Sequence, residues 1–428
     1  MLLRSSLVLC LLLSPGAALA EWPGWRGPAA NTVAPPGDYP VDFGADRNLA
    51  WKADLPGEGS STPTWWGDAI FLTATAENRD LLVCYGTDGV ERWRRDIDQA
   101  TQAKNRSATG GNPSTVVDAQ HVVAYFKSGA LACFTHSGQE LWRVNLQEKY
   151  GQDTLWWDLG TSPVVSSAGV VVAVMQAGES YLVTLDLDSG QVVWKQDRVY
   201  ERPRESDQAY TTPAVLSVDG TETIVTWGAD HLTGHDAKTG KLLWDCGGFN
   251  PENQGMWRVI ASATIQNGVA YVPYGRGNFF AAVKLGGSGD ITGQARLWEA
   301  TGVGADVPSP VVHEGKVYVL GDRGRGQLDV LDARSGDQLS TLRLPRSRSN
   351  FFSTPLLAAG RLYCTRENGD VVVLSVTDGL RVVAQNSLDE ETVATPVPLG
   401  DSLLFRTRSS LFCFANGAPE VSKQAAAE

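Results

Sequence analysis

A short phrase of small residues around a proline recurs along the chain, and its spacing limits the possible folds more than any other feature of the sequence. The first five copies are fifty residues apart, and the later copies are somewhat closer together. A fixed period of this size is typical of supersecondary units that bury their faces only against neighbouring units. The eight copies place a proline, or alanine in one case, at Pro63, Pro113, Pro163, Pro213, Ala263, Pro310, Pro355 and Pro396.

A tryptophan closes most of the units and runs in step with the prolines. Several of these tryptophans follow a turn of the form D-x-x-[ST]-G, as in DLDSGQVVW (186–194) and DAKTGKLLW (236–244). In such a turn the Asp side chain bonds to local backbone and the Gly adopts positive φ. The closing residues are Trp93, Trp142, Trp194, Trp244 and Trp298, whereas Ser340 and Val383 take this position in two later units.

Each unit contains four short runs with the character of β-strands. In the third unit they are TSPVVSS, AGVVVAVMQ, SYLVTLDL and QVVWKQ, which are β-branched or alternating and are bounded by Gly, Asp and Ser. Four strands in about fifty residues are typical of one propeller blade. The sequence therefore predicts an all-β fold, an eight-bladed β-propeller with four-stranded blades.

The two ends of the repeat region predict how the ring closes. The last unit supplies only three strands, while NLAWKADL (48–55) carries Trp51 in the blade-closing position. A first strand that completes the last blade would leave no open seam in the ring. The proline phrase then begins the innermost strand of each blade, where strands crowd around the channel and side chains must be small.

The first twenty residues, MLLRSSLVLCLLLSPGAALA, have the pattern of a secretory signal peptide. Arg4 supplies a positive charge, Leu7–Leu13 is an apolar run too short to span a bilayer, and Ala18-Leu19-Ala20 is a cleavage signal. We therefore expect cleavage near Ala20 and export to the periplasm or the extracellular space as a soluble protein without a transmembrane segment.

The remaining chain divides into three segments by composition. Residues 21–47 are a Pro/Gly-rich lead-in, which Trp22 and Trp25 are expected to dock on the propeller. Residues 48–416 hold the eight blades, and residues 417–428 are expected to be a disordered tail.

The net charge and the positions of the His and Cys residues argue against nucleic-acid binding, a shared His metal site and disulfides. The formal net charge is −12, and no basic patch is interleaved with aromatic residues, so nucleic acid is not an expected partner. His231 and His235 lie in a strand-like stretch, where four residues span about 13 Å, too far for one shared metal ion. Cys84, Cys133 and Cys413 fall in equivalent positions of different blades, which are too far apart for disulfides.

The long connections between early blades are the expected functional region. From each closing tryptophan to the next proline position they run about twenty residues, and their last residues should line one mouth of the channel. Binding residues are often carried by such loops on a rigid scaffold. The alternative is that these tryptophans only cap the channel and pack against neighbouring loops. The candidate rim residues are Arg106, Trp156, Trp157, Asp158, Glu205, Asp207, Tyr210, Trp257 and Arg258.

The phrase D-x-x-[ST]-G-x-x-x-W resembles the tryptophan-docking repeat of the quinoprotein, or PQQ-repeat, eight-bladed propellers. The resemblance covers about 48–416, and WPGWRGP in the lead-in resembles exported bacterial PQQ-repeat proteins. The family contains both enzymes and scaffold proteins, so the repeat indicates fold far better than function.

Two classes of function follow from the resemblance. PQQ-dependent alcohol dehydrogenases hold the quinone between a tryptophan and a vicinal disulfide, with calcium beside it, but no two cysteines are adjacent here. BamB-like proteins use the same repeat as a scaffold in outer-membrane protein assembly and need no cofactor. The sequence favours a non-catalytic binding or scaffold protein, which binds a protein partner or a small ligand at the rim and is associated with envelope proteins. The alternative is a divergent dehydrogenase with PQQ and calcium in the channel.

Overall fold

A computed structural model of the chain describes residues 21–322 and 326–419. The expected signal peptide and most of the expected tail lie outside the described residues. Within them, the fold is almost entirely β-structure, arranged as eight sheets around a central channel. The predicted eight-bladed propeller is confirmed.

The first strand of the chain, β1 (Leu49–Asp54), belongs to the last blade, and the strands that follow it form the first four blades. Blade 1 contains β2 (Thr64–Trp66), β3 (Ala69–Ala76), β4 (Arg79–Gly86) and β5 (Glu91–Gln99). Blade 2 contains β6 (Val116–Val117), β7 (His121–Tyr125), β8 (Ala130–Thr135) and β9 (Glu140–Asn145), followed by the short helix α1 (Leu146–Tyr150). Blade 3 contains β10 (Val164–Ser166), β11 (Gly169–Val174), β12 (Tyr181–Leu185) and β13 (Val192–Asp197). Blade 4 contains β14 (Ala214–Val218), β15 (Thr221–Gly228), β16 (His231–Asp236) and β17 (Leu242–Cys246).

The second half of the ring follows the same plan with one addition. Blade 5 contains β18 (Thr264–Gln266), β19 (Val269–Tyr274), β20 (Phe279–Lys284) and β22 (Arg296–Thr301), and before its last strand come β21 (Gly289–Asp290) and helix α2 (Thr292–Ala295). The short β21 adds a parallel fifth strand to blade 4 by pairing with β17. Blade 6 contains β23 (Val311–His313), β24 (Lys316–Leu320), β25 (Gln327–Asp332) and β26 (Gln338–Arg343). Blade 7 contains β27 (Leu356–Ala358), β28 (Arg361–Thr365), β29 (Asp370–Ser375) and β30 (Arg381–Ser387). Blade 8 contains β31 (Val397–Leu399), β32 (Ser402–Arg406) and β33 (Ser410–Phe414).

The first strand closes the ring, as the sequence predicted. β1 pairs antiparallel with β33, and Trp51 lies opposite Cys413. The order of the last blade is therefore β1-β33-β32-β31, with its outermost strand taken from the start of the repeat region. Main-chain hydrogen bonds between distant parts of the chain join the first and last blades and leave no open seam.

The position within a blade determines the pattern of each strand. The middle strands β11 and β12 are buried along almost their whole length, because each blade is stacked between two others. The outermost strand β13 alternates between inward and exposed residues, and only Trp194 is fully buried. This explains why apolar runs and alternating runs follow each other within every unit.

Serine and threonine in the recurring phrase have a specific role around the channel. The backbone N–H of one such residue donates to the hydroxyl of its counterpart in the next blade at 2.9–3.1 Å. In blade 2 this residue is Ser114, so Thr115 takes the proline position and Pro113 lies one residue before it. Hydrogen bonding between blades, as well as the need for small side chains, therefore limits which residues this phrase can contain. The residues of this hydroxyl ring are Thr62, Ser114, Ser162, Thr212, Ser262, Ser309, Thr354 and Thr395.

The closing tryptophans join adjacent blades. The indole N–H of Trp142 donates to the Leu187 carbonyl at 2.7 Å, and that of Trp194 donates to the Ala237 carbonyl at 3.0 Å, both in the turn of the next blade. The glycine of the turn packs flat against the indole, since a Cβ on Gly240 would lie 2.4 Å from the Trp194 ring. The D-x-x-[ST]-G turn therefore requires glycine for contact with the ring as well as for positive φ.

One tryptophan position was misplaced in the sequence analysis. In blade 7 the residue opposite Val373, which corresponds to the tryptophan position elsewhere, is Ala384, and Val383 is exposed on the outer strand. Blade 8 has no turn of this kind for a tryptophan to contact, because its outermost strand is β1. Phe43 of the lead-in packs there instead, with its ring centroid 5.1 Å from Phe405 and 4.7 Å from Phe414.

The lead-in lies across one end of the channel. Trp22 exchanges backbone hydrogen bonds with Trp65 of blade 1. Arg26 reaches blade 5, where its guanidinium donates to Thr264 Oγ1 at 2.8 Å and to the Ala263 carbonyl at 2.9 Å. Because the segment runs from blade 1 to blade 5 on the side of the inner hairpins, it covers the channel end opposite the inter-blade connections.

The same segment then continues to blades 6 and 7. Asn31 bonds both the N–H and the carbonyl of Val312 through its side-chain amide. The Thr32 carbonyl accepts the Leu357 N–H, and the Ala34 N–H donates to the Leu357 carbonyl. Val33 and Leu357 therefore form a parallel bridge at the innermost strand of blade 7. The Pro23 carbonyl accepts the N–H of Val117 in blade 2. The lead-in is thus an ordered part of the propeller that contacts blades 1, 2, 5, 6, 7 and 8.

The five cysteines of the described residues are buried and unpaired, and Cys84, Cys133 and Cys413 lie in separate blades as expected. Burial raises the pKa of the Cys84, Cys133, Cys364 and Cys413 thiols to about 12. These thiols are therefore protonated and act as small apolar side chains.

Candidate functional site

The end of the channel away from the lead-in opens into a cavity of about 600 Å³, here called the cup. The inter-blade connections form its wall, because they enter the innermost strands at this end. Trp25 of the lead-in also lines the cup and lies at its closed end. The structure brings four of the nine predicted rim residues into this wall, namely Trp157, Asp158, Tyr210 and Arg258.

Asp158 is held by a buried lysine. Lys127, in the hairpin between β7 and β8, forms an ion pair with Asp158 Oδ1, and both side chains are almost fully buried. The same carboxylate accepts the backbone N–H groups of Lys104 and Asn105, each at 2.8 Å. Since its charge is compensated and its oxygens are engaged, Asp158 fixes two neighbouring inter-blade connections rather than acting as a free base.

Glu205 lies directly behind the wall of the cup and holds two of the lining residues. Its Oε1 accepts the indole N–H of Trp157 at 2.6 Å and lies 3.6 Å from Arg258 Nη1. Its backbone has φ of 68°, a left-handed conformation that costs about 1–3 kcal/mol for a residue other than glycine. These contacts keep Trp157 and Arg258 in place, and Arg258 also donates to Asp306 Oδ2 at 3.1 Å.

Tyr210 and Asp207 complete the third connection. The Tyr210 hydroxyl accepts the backbone N–H of Trp157 at 3.1 Å and donates to Gln208 Oε1 at 3.2 Å. Burial raises the pKa of Tyr210 above its ordinary value, so the hydroxyl is protonated. Burial, and then the nearby Glu205 charge, raise the pKa of Asp207, which lies outside the cup.

Two other predicted residues lie away from the cup. Arg106 forms an exposed ion pair with Glu367 at 3.2 Å in a small neighbouring depression. Trp257 is half-buried and packs edge-on against Tyr274, with ring centroids 5.3 Å apart. For Trp257 the alternative interpretation, packing against neighbouring groups, describes its position.

Trp156 is turned outward and forms an exposed cluster with two residues from other connections. Its ring is 46% exposed, while its backbone N–H is fixed by Gln208 Oε1 at 2.7 Å. The Arg204 guanidinium lies 4.1 Å from the ring centroid, and the Arg204 carbonyl accepts the N–H of Met256 at 2.8 Å. Met256 is 42% exposed. We call Trp156, Arg204 and Met256 the Trp156 surface.

The residues of the cup do not match the quinone and calcium site that the dehydrogenase resemblance implies. No two cysteines are adjacent in the sequence, so a vicinal disulfide cannot form. The carboxylates of Asp158 and Asp306 are engaged by Lys127 and Arg258 respectively, and that of Asp322 accepts the Asp306 N–H at 3.1 Å. In the described parts of the chain, no three His, Cys, Asp or Glu side chains are grouped to hold a metal ion.

Sequence reasoning missed residues whose role depends on distant parts of the chain. Lys127, which compensates Asp158, lies in a hairpin rather than in an inter-blade connection. Trp25 comes from the lead-in. Met256 is exposed, whereas its neighbour Trp257 was the predicted rim residue. The adjacent Trp156 and Trp157 also point in different directions, which their type and spacing do not indicate.

The repeat, the closure of the ring and the tryptophan contacts define a PQQ-repeat propeller. The sequence profile of the family described as outer membrane protein assembly factor BamB matches residues 44–205, 127–291 and 287–410. The chain therefore belongs to this family. A curated relative, the outer membrane protein assembly factor BamB of Yersinia pestis, is 28% identical over 154 residues, which cover 36% of this chain and 37% of that protein. The match therefore spans little more than a third of the relative.

Solved structures with the same fold include both a BamB protein and alcohol dehydrogenases. BamB from Moraxella catarrhalis superposes with a TM-score of 0.61 at 14% identity, covering 87% of this chain and 98% of that one. The quinohemoprotein alcohol dehydrogenase from Comamonas testosteroni superposes with a TM-score of 0.69 at 12% identity, covering 95% and 82%. At these identities the likeness shows the fold alone. In the described residues no helix is long and apolar enough to cross a membrane.

Proposed function

We propose that this protein is an exported, non-catalytic propeller that binds a protein partner of the bacterial envelope through its inter-blade connections. The observation that carries the proposal is the Trp156 surface. Large side chains from three successive connections meet there, exposed to solvent but fixed by hydrogen bonds to the scaffold.

The chemistry of this surface is that of a protein interface. Trp, Arg and Met are enriched in interfaces, and Trp and Arg are prominent among the residues that dominate binding energy. Trp156 loses little freedom on binding, because Gln208 already holds its backbone and Arg204 covers one face of its ring. Such preorganisation favours affinity.

The relatives indicate the kind of partner. The Yersinia pestis and Moraxella catarrhalis proteins are BamB, and the former is named as an outer membrane protein assembly factor. An envelope location agrees with the signal peptide expected at 1–20, which cleavage near Ala20 would remove. We propose that the partner is a protein of the outer membrane or of its assembly machinery.

The direct test is site-specific cross-linking in the native cell envelope. A photo-reactive amino acid in place of Trp156 should give a discrete cross-link to an envelope protein. The same amino acid in place of Leu339, which is 52% exposed on the outermost strand of blade 6, is the control and should give none. Trp156→Ala with Met256→Ala should weaken binding of the identified partner by at least about tenfold.

Equal cross-linking from positions 156 and 339, or none from either, would contradict a specific interface at this surface. Cell fractionation and N-terminal sequencing of the mature protein test the location separately. Recovery of the protein with residues 1–20 intact from the cytoplasm would contradict export.

A dehydrogenase is the competing function, and one observation keeps it in consideration. The cup lies in the channel of a fold shared with the alcohol dehydrogenase, and aromatic side chains line it. We nevertheless propose that neither PQQ nor calcium is bound, because the chain lacks the adjacent cysteines of the alcohol dehydrogenases and its described residues hold no group of three metal-binding side chains.

A further inference from the structure

The cup has features of a binding site for a small molecule, separate from the Trp156 surface. The lead-in crosses the channel at the opposite end, where Arg26 is anchored on Thr264. Trp25 lines both the cup and a smaller cavity of about 380 Å³ on the far side of the lead-in, so its side chain separates the two. A ligand would enter from the side of the inter-blade connections and stop at Trp25.

Most charges in the wall are paired with an opposite charge. Asp158 is paired with Lys127, and Arg258 is paired with Asp306 at 3.1 Å and lies 3.6 Å from Glu205. Arg276 lies 3.9 Å from Asp306, and the Asp322 carboxylate accepts the Asp306 N–H at 3.1 Å. A charged ligand would have to break one of these buried pairs, and leaving a buried charge without its partner is costly. The cup therefore favours a ligand without net charge.

The deeper wall is rich in groups that can form additional hydrogen bonds. Five members of the hydroxyl ring line the cup, and their oxygens already accept backbone N–H groups or face the channel, while a hydroxyl can also donate. Asn350 lines the cup too, and its side-chain amide can both donate and accept hydrogen bonds. A purely apolar ligand would leave these groups unsatisfied.

Apolar surface lies among these polar groups. The rings of Trp157 and Phe352 and the side chain of Ile260 line the upper wall, and Trp25 lies at the closed end. A cavity of about 600 Å³ is within the usual range for small-molecule sites. The ligand should therefore combine many hydroxyl groups with an apolar face that can lie against an aromatic ring.

We infer that the cup binds an uncharged, polyhydroxylated molecule of the size of a mono- or disaccharide. Hydroxyl groups of the sugar would bond Asn350 and the hydroxyl ring, and the C–H face of the sugar ring would lie against Phe352 or Trp157. Phe352 and Asn350 lie in the connection between blades 6 and 7, whereas the Trp156 surface is built by connections from blades 2 to 5.

The test is isothermal titration calorimetry of the mature protein with glucose, galactose, maltose and cellobiose, and with citrate as an anion. At least one sugar should bind saturably with one site per chain, and citrate should not. Phe352→Ala should weaken that sugar by about tenfold, and Asn350→Ala by about five- to tenfold. Leu339→Ala, an exposed change on blade 6, is the control and should bind like the wild type.

Failure of all four sugars to bind, or binding of citrate alone, overturns the inference. Unchanged binding by both Phe352→Ala and Asn350→Ala, each shown to be folded by circular dichroism, also overturns it. The cross-link from position 156 should persist in both variants. Loss of sugar binding therefore tests the cup without testing the protein interface.

Discussion

A single glycine shows how a residue is selected by two constraints at once. Gly240 has φ of 73°, which the turn requires, and it also lies flat against Trp194, the closing residue of the preceding blade. Gly220 has a similar φ of 79°, but nothing lies within 4 Å of where its Cβ would be. The two positions separate the cost of the backbone conformation from the cost of the lost contact between blades.

Gly240→Ala should therefore destabilise the protein more than Gly220→Ala. Both substitutions cost roughly 1–2 kcal/mol for a left-handed backbone. Gly240→Ala should add about 1–3 kcal/mol, because its methyl group would overlap the Trp194 ring. Urea unfolding measures the difference in the free energy of unfolding between the two variants. Equal losses of stability would show that close contact between Gly240 and Trp194 does not stabilise the fold.

A buried carboxyl predicts how stability depends on pH. Burial raises the pKa of Asp80 to about 6, and the nearby Ser128 hydroxyl offsets only part of this effect. A carboxyl with a higher pKa in the folded than in the unfolded chain binds its proton first in the folded state. Its unfavourable contribution is thus present above pH 6 and is relieved as the pH falls toward 4.

Asp80→Asn should stabilise the protein at pH 7 by of order 2 kcal/mol, since it removes a buried charge while keeping the shape of the side chain. The gain over the wild type should shrink as the pH falls from 6 to 4. Urea unfolding at pH 7, 6, 5 and 4 tests this. A loss of stability at pH 7 would mean that the Asp80 carboxylate makes a bond that the fold needs.

The ion pair of Lys127 and Asp158 gives a prediction of opposite sign. Lys127→Met should destabilise the protein by about 3–5 kcal/mol, because it leaves Asp158 buried without its cation. Adding Asp158→Asn to Lys127→Met should recover part of this loss by removing the uncompensated charge. If Lys127→Met alone has wild-type stability, water or another cation replaces the lysine.

At the scale of elements, the sequence predicts the strands and their order well and the exceptions poorly. Strand runs and turns are local signals, so the blades could be predicted from short stretches. The shifted position at Pro113 could not be predicted, because the Ser114 hydroxyl accepts the backbone N–H of Thr62 in the neighbouring blade. Nor could the short β21, which pairs with a strand of the preceding blade over only two residues.

The lead-in is the element that sequence reasoning described least. Its tryptophans were expected to dock on the propeller, but its path depends on contacts with residues far along the chain, such as Thr264 and Val312. Composition rich in Pro and Gly excludes regular structure without indicating a path. Only the assembled ring has the inner strand ends that this segment bonds.

Asn31 tests the importance of this element. Asn31→Ala removes two hydrogen bonds, leaving the Val312 N–H without the Asn31 acceptor and the Val312 carbonyl with only Gln266 Nε2 at 3.2 Å. We expect a loss of about 1–3 kcal/mol and faster proteolysis within 21–47. Asn416→Ala, which removes one exposed bond to the lead-in at the Asp38 carbonyl, is the control and should change little.

At the scale of the whole molecule, one period of fifty residues was sufficient to predict an eight-bladed ring. The candidate site was predicted less completely, since spacing places Trp156 and Trp157 in one connection but does not show which faces the cup. Lys127 and Glu205 contact residues of a neighbouring connection that lie 31 and 48 positions away in the sequence, which no local pattern encodes. Fold and location of the site follow from the sequence, whereas the direction of its side chains does not.

We propose that the channel of this propeller does not hold PQQ, although quinohemoprotein alcohol dehydrogenases share its fold. The most direct measurement is a titration of the mature protein with PQQ and calcium, followed by tryptophan fluorescence and quinone absorbance. We predict no saturable change, because Lys127 and Arg258 engage the carboxylates of Asp158 and Asp306 and no two cysteines are adjacent in the sequence. Stoichiometric saturation at micromolar PQQ, abolished by Trp157→Ala, would contradict this proposal and show that the channel binds the quinone.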